Sequence, residues 1–398
     1  MSLESVSSTI EEEEIEFVRF EFSDFYGISR CKIIPARHFV DKASNGIGIP
    51  FCHLSSSIDG AELHLDTPYG NGEVGIGDGI WFPEFNTFRI LPWYRKTASI
   101  LLEPKYYKGE PVSCYPRYIA RQQIERLEKL GISLLAAHEH EFYVVDQKTQ
   151  KPFTQDMCFR STIRTYTDPN LLDQLMTNLY KVGIDVENCE SESGHGQMEI
   201  TYKPRFGIQA ADNAYFFKTT VKEIAQQHGY IASFMSKPFA DQMGTSAHFC
   251  HSLWDKDCKK NLLYDANDHN KLSEIGRYWM AGILKHSPAI TMLMAPTVNC
   301  YKRYGKQSYV STTPNWGIDN RCCMLRLKIN GTKGTYLENR SSGGGSNPYL
   351  TLAAVVAAGI DGIEKKLPLP EEETGDPFRM TNNDPAKNGL PCTLSNAI

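Results

Sequence analysis

The stretch Leu134-Leu135-Ala136-Ala137-His138-Glu139-His140-Glu141-Phe142-Tyr143-Val144-Val145 decides the fold class. It is apolar at both ends, rich in aromatic and β-branched residues towards its C-terminus, and free of Gly and Pro, which predicts a strand. Successive side chains of a strand alternate faces, so Glu139 and Glu141 point the same way. Two carboxylates on one face of an apolar strand lose hydration and repel each other. Without a cation they take up protons or destabilise the strand. The competing reading is an exposed polar face on an edge strand, and this stretch alone does not choose between them.

Outward from it, helical and extended patterns are mixed. Pro116 opens a helix whose apolar stripe is Ala120, Ile124 and Leu127, and Gly131 closes it. Residues 170–182, Gln209 to His228 and Leu272 to Leu284 also read as helices. From Ile15 to Ile34 apolar and polar residues alternate around Asp24-Phe25-Tyr26-Gly27, the pattern of a β-hairpin. Further short strands are expected at Gly79 to Phe85, Phe88 to Leu91 and Ser99 to Glu103. The expectation is an α+β protein with a small β-rich domain over 16–105, a larger mixed domain over 106–398, and a linker around 104–116. The Ser- and Glu-rich residues 1–15 read as a disordered acidic tail. Gly70-Asn71-Gly72-Glu73-Val74-Gly75 matches GxGxxG by letter, but Asp66-Thr67-Pro68 precedes it and a strand follows. A dinucleotide fingerprint needs the strand before and a helix after.

At 398 residues the chain holds two domains or one small and one large, with a sizeable core. Its 41% hydrophobic and 22% charged content is that of a soluble globular protein. A net charge of -5 and the absence of any Lys/Arg run argue against nucleic acid as a partner. Eleven cysteines without a CxxC pair read as reduced thiols and a cytoplasmic location. The sequons at Asn330 and Asn339 then read as chance. The polar N-terminus, with Glu11 to Glu14, is unlike a signal peptide. The longest apolar run, Leu350 to Ile360, is too short for a bilayer, so no membrane is expected.

Three further segments carry chemistry. In Glu192-Ser193-Gly194-His195-Gly196-Gln197-Met198-Glu199 the glycines allow a tight turn between two acids, so both reach one ion. Carboxylate oxygens suit Mg²⁺ or Mn²⁺; taken alone, the segment is a surface turn. His248, Cys250 and His251 are candidate zinc ligands, yet nothing else sits at zinc-finger spacing, and a lone His248 is usually a core residue. Arg303, Arg321, Arg326 and Arg340, with Glu338 two before the last, are of the type that clamps phosphate and carboxylate oxygens. Each of them alone reads as a surface salt bridge.

Together and in order, these pieces resemble the glutamine synthetase family, class I type, from about Val18 to Ile398. The family's E-x-E-F is Glu139 to Phe142, and its G-Q-x-E is Gly196 to Glu199 with Glu192 ahead. Phe234 to Pro238 is similar to F-M-P-K-P, Asn299 to Arg303 to N-S-Y-K-R, and Asn347 to Leu350 is N-P-Y-L. Asn320-Arg321, Arg326 and Glu338-Asn339-Arg340 stand where the family has N-R-S, a later arginine and E-x-R. The resemblance implies a small N-terminal β-grasp domain and a large α/β catalytic-type domain, assembled as two stacked hexamer rings with sites between neighbours. It further implies one cation held by Glu141, Glu192 and Glu199, and another by Glu139, His248 and Glu338. Lys333 and Ser252 would lie near ATP, and the four arginines near phosphate and the substrate carboxylate.

The departures from the family pattern concern ammonia. The flap glutamate position falls at Tyr309, and Tyr304 to Ile318 contains no acid. The ammonium-binding aspartate falls at Leu54, the substrate-binding asparagine at Met243, and the second histidine of H-x-H at Cys250. That combination resembles a branch of the family found in the vertebrate lens. It implies a catalytically inactive protein with a structural or chaperone-like role, forming homo-oligomers and contacting lens intermediate-filament proteins. The alternative is an ATP-dependent ligase that joins a carboxylate to an amine other than ammonia.

Overall fold

The alternating residues near the N-terminus fold back as β1 (Phe17–Ser23) and β2 (Ser29–Pro35), antiparallel from the Phe17/Pro35 pair to the Ser23/Ser29 pair. Asp24 makes the turn: its carboxylate accepts the backbone N–H groups of Tyr26 and Ile28 at 2.9 Å each. Gly27 follows at φ +76°, a conformation only glycine adopts freely. The structure is a computed structural model describing residues 1–58, 67–69, 77–155, 159–304, 309–375 and 389–398. The Gly70–Gly75 segment lies outside them. The chain divides into two compact units, Met1–Ile119 with Met176–Ile184, and Ala120–Leu175 with Asp185–Ile398.

In the first unit β1 and β2 are joined by β3 (Ile47–Pro50), β4 (Asp78–Pro83), β5 (Arg89–Ile90) and β6 (Thr97–Lys105). The order is β2-β1-β6-β4-β3, with β5 beside β6 and β1 parallel to β6. Phe20, Phe22, Trp81 and Leu54 fill its core. The expected disordered tail is instead a helix, Leu3–Glu12, capped by the Ser2 hydroxyl. Val6 and Ile10, four residues apart, lie on one face and are buried, which docks a helix whose composition is otherwise polar. The expected linker is also structural, because Val112 and Tyr115 are fully buried in this core and the Tyr115 hydroxyl donates to the Leu102 carbonyl at 2.9 Å.

The second unit is built on the strand that the sequence singles out. β7 (Ile132–Asp146) is the middle of a sheet completed by β8 (Val186–Ser191), β9 (Gln197–Tyr202), β10 (Arg205–Phe206), β11 (Tyr230–Ser233), β12 (Ala247–Asp255), β13 (Trp316–Ile318), β14 (Leu325–Lys328) and β15 (Tyr336–Asn339). The order is β13-β14-β15-β12-β7-β9-β8, and β10 and β11 pair with β7 as well. The strict alternation of β7 sorts its chemistry. Glu139 and Glu141 occupy one face. His138 and His140 occupy the other, where His140 stacks on Phe217 of the helix Gln209–Gln227 at 4.7 Å. Both imidazoles are fully buried, and their nitrogens find no hydrogen-bond partner among the described residues. Burial pushes His138 down to about 3 and His140 well below its ordinary value, so both are neutral core residues.

Behind the sheet the helices Glu274–Met294 and Pro348–Glu364 cross at paired glycines. A Cβ on Gly282 would lie 2.2 Å from the Ala358 carbonyl oxygen and 2.8 Å from the Gly362 Cα. Overpacking costs about 1–3 kcal/mol, against a helix-propensity gain for alanine of up to about 1 kcal/mol. Gly282→Ala is therefore expected to lower the melting temperature. An unchanged or raised value would contradict so close a crossing. Among the described residues no helix is long and apolar enough to cross a membrane.

Candidate cation and nucleotide site

The open face of the second sheet gathers its charges by register. His248 on β12 lies directly across from Glu139, Glu199 on β9 across from Glu141, and Glu190 on β8 across from Glu199. On the far side Glu338 of β15 pairs with Cys250 of β12 and with Arg326 of β14. His248 Nδ1 is 2.9 Å from Glu139 Oε1 and 3.3 Å from Glu338 Oε1. One donor atom from each of these three residues lies within 4.8 Å of the other two. Glu338 is also held by Arg326 Nη1 at 3.0 Å and by Arg340.

A second convergence lies towards the β8 edge, where Glu190, Glu192 and Glu199 each bring one oxygen within 4.8 Å of the others. The family resemblance puts Glu141 in that set. Glu141 lines the same cavity as Glu192 and Glu199, but its oxygens are already engaged. Oε2 accepts the Ser246 N–H at 3.0 Å and the Gln197 side-chain amide at 3.0 Å, and Oε1 accepts the Ser246 hydroxyl. Glu190 is the residue that sequence reasoning missed. Its spacing of two from Glu192 repeats that of Glu139 and Glu141, and this was the available signal.

Electrostatics distinguish the two groups. Burial, and then the neighbouring charges of Glu139, Glu141 and Glu192, push Glu199 far above the usual carboxylate range. Burial raises Glu192 too, with Glu141 adding to it. Glu139 and Glu141 are likewise raised, chiefly by burial. Glu338 goes the other way: burial would raise it, but the guanidinium groups of Arg340 and Arg326 hold it low. Burial and Arg340 push His248 well down, leaving a neutral imidazole with a lone pair to offer. A face of hard oxygens with one imidazole fits Mg²⁺ or Mn²⁺. The zinc pairing of His248 with His251 does not form. Three apart on a strand they face opposite ways, and His251 Nε2 accepts the Trp279 indole N–H at 2.9 Å on the helix side.

Two cavities open on this face. One, of about 480 Å³, is lined by Ser252, Arg321, Arg326 and Lys333 alongside Glu139 and Glu190. The other, of about 520 Å³, is lined by Arg303, Arg321 and Arg340 together with Met243 and Tyr309. The arginines differ in freedom. Arg303 donates to the Arg340 carbonyl at 3.2 Å and to that of Ser341. Arg326 is spent on Glu338 and on Asp319 at 2.5 Å. Arg321 is exposed and lines both cavities. Tyr309, 58% exposed, lines the second cavity. Leu54, in contrast, is 0% exposed in the core of the first unit.

Carboxylates, one imidazole and four arginines share this face, and residues 113–398 match the family described as glutamine synthetase, catalytic domain. The chain belongs to the glutamine synthetase family. Dog lengsin is 35% identical over 410 residues, covering 100% of this chain and 68% of that protein. The glutamate–isopropylamine ligase of a Pseudomonas species is 30% identical over 387 residues, covering 94% and 84%. Among solved structures, GmaS in complex with ADP superimposes with a TM-score of 0.85 at 25% identity, covering 98% of this chain and 88% of that one.

Proposed function

We propose that this protein binds divalent cations and an adenine nucleotide on the open face of its second sheet, does not make glutamine, and acts in a structural or chaperone-like role. The observation that carries the reading is the pairing of Glu139, His248 and Glu338 within 4.8 Å of one another with a tyrosine, not an acid, at the cavity wall. Mg²⁺ or Mn²⁺ would supply the positive charge that lets these carboxylates ionise together and receive phosphate. The chain's own residues do the rest: Glu139, Glu338 and His248 would hold one cation, and Glu192 and Glu199 the other, beside Glu141, whose oxygens Ser246 and Gln197 engage. Lys333, Ser252 and Arg321 meet the nucleotide, and Arg303, Arg326 and Arg340 set the arginine wall. The family resemblance supports a β-grasp domain over 16–105 and homo-oligomers of two stacked hexamer rings. Similarity to lengsin supports a cytoplasmic lens protein with intermediate-filament partners. Light scattering at micromolar concentration is expected to give a particle of many chains, and a monomer would contradict the assembly.

One observation favours a second reading, an ATP-dependent ligase for an amine other than ammonia. Met243, Tyr309, Val310 and Phe159 contribute to the wall of the cavity that Arg303, Arg321 and Arg340 also line. An amine arriving neutral needs no acid to hold it, and the wall would receive its substituent. Phosphate release from ATP across a panel of carboxylic acids and amines separates the readings. Amine-dependent release makes the protein a ligase, and its absence across the panel supports the structural role.

A further inference from the structure

Glu190 and Arg160 have no part in the ligand set that the family resemblance implies, yet they sit inside it. Arg160 holds Glu190 through both carboxylate oxygens, at 2.6 Å from Nε to Oε2 and 2.6 Å from Nη2 to Oε1. That guanidinium rests over the Phe159 ring, 4.8 Å from its centre. Its side chain is 52% exposed, whereas that of Glu190 is only 17% exposed. Beside the pair, Glu199 is 8% exposed and lines both cavities, and no described residue donates a hydrogen bond to its carboxylate. A buried carboxylate without a donor, aimed into a cavity, is costly unless a charge meets it there. Arg160 is committed to Glu190 and does not bond Glu199. Glu141, the acid that the resemblance would supply, already accepts three hydrogen bonds.

We propose that Glu190 is a further cation ligand on this face, and that Arg160 is the counter-ion it releases when the cation arrives. The inference rests on the cation reading above. In the cation-free state Arg160 neutralises Glu190 from the solvent side. A divalent cation drawing an oxygen from each of Glu190, Glu192 and Glu199 satisfies Glu199 as well, which a singly charged guanidinium bonded to Glu190 alone does not. Being half exposed, Arg160 swings into water at little cost, because an exposed guanidinium keeps its hydration. The exchange makes no covalent change. It trades one positive charge for two at the cluster.

The test is Mn²⁺ binding to the full chain, followed by electron paramagnetic resonance of the free ion. Glu190→Gln is expected to weaken one class of Mn²⁺ site by about tenfold or more, since loss of even an outer-shell partner typically costs about 10–100-fold. Arg160→Gln is expected to tighten the same class, because it removes the competitor. The double variant is expected to bind as Glu190→Gln does, since Arg160 acts only through Glu190. Melting curves in EDTA establish that each variant is folded, and if Glu190→Gln is not, Arg160→Gln alone decides. Wild-type affinity in either single variant overturns the proposal while leaving the cation reading intact. A wild-type chain that binds no Mn²⁺ overturns that reading itself.

Discussion

Given saturating ATP, Mn²⁺, glutamate and ammonium, the protein is expected to form glutamine at least about 10⁴-fold more slowly than an active member of its family. A positioned acid or base typically contributes about 10²–10⁴-fold and a preorganised electrostatic partner about 10²–10³-fold. Ammonium needs both, because it must be held by negative charge and must lose a proton before it attacks. By the family resemblance the flap acid falls at Tyr309, a phenol 58% exposed at the cavity wall, and the substrate-binding amide at Met243. The arginines and carboxylates proposed to meet phosphate remain, so slow ATP hydrolysis is compatible with the loss. Restoring the acid is informative at only one of the two positions. Leu54 is fully buried in the first core, so Leu54→Asp would bury an unpaired carboxylate and destabilise the unit. Tyr309→Glu places an acid at an exposed position on the cavity and is expected to raise whatever trace of glutamine exists. No gain would mean that residue 309 does not reach the reacting nitrogen.

The largest stability effect is expected at Glu338. Its side chain is 3% exposed and meets Arg326, Arg340 and His248. Replacing it by alanine leaves two buried guanidinium groups short of their shared partner. Removing one member of a buried ion pair costs about 3–5 kcal/mol. In a unit of this size each kcal/mol moves the melting temperature by about 2–4 °C, so Glu338→Ala in EDTA is expected to melt at least about 6 °C lower. Glu338→Gln keeps the volume and an acceptor oxygen and is expected to lose less. A melting temperature equal to that of the wild type for the alanine variant would show that Arg326 and Arg340 do not depend on Glu338. Arg326 has Asp319 as a second partner, which limits the loss.

Local pattern made part of this structure legible and long-range pairing hid the rest. β7 was readable because alternation alone fixes which face each residue takes, and the same alternation separates Glu139 and Glu141 from His138 and His140. Glu338, His248 and the arginines were readable only as an ordered set, since each is ordinary by itself. Glu190 offered only its spacing of two from Glu192, because its closeness to Glu199 is created by the β8–β9 register. The engagement of Glu141 was not readable, since it depends on Ser246 arriving from a segment 105 residues away. The N-terminal helix was missed because composition outweighed two apolar residues, Val6 and Ile10, that lie one helical turn apart. The burial of Leu54 follows from the packing of the whole first core, and no local pattern announces it.

Thermal unfolding with and without Mn²⁺ tests most directly whether the acid face of the second sheet is a cation site. A ligand at a hundred times its dissociation constant adds about 2.7 kcal/mol to the stability of the state that binds it. The melting temperature is therefore expected to rise with Mn²⁺, to return when EDTA is added, and to respond far less to Mn²⁺ in Glu199→Gln. A wild-type melting temperature indifferent to Mn²⁺ and Mg²⁺ would mean that these carboxylates converge without holding an ion.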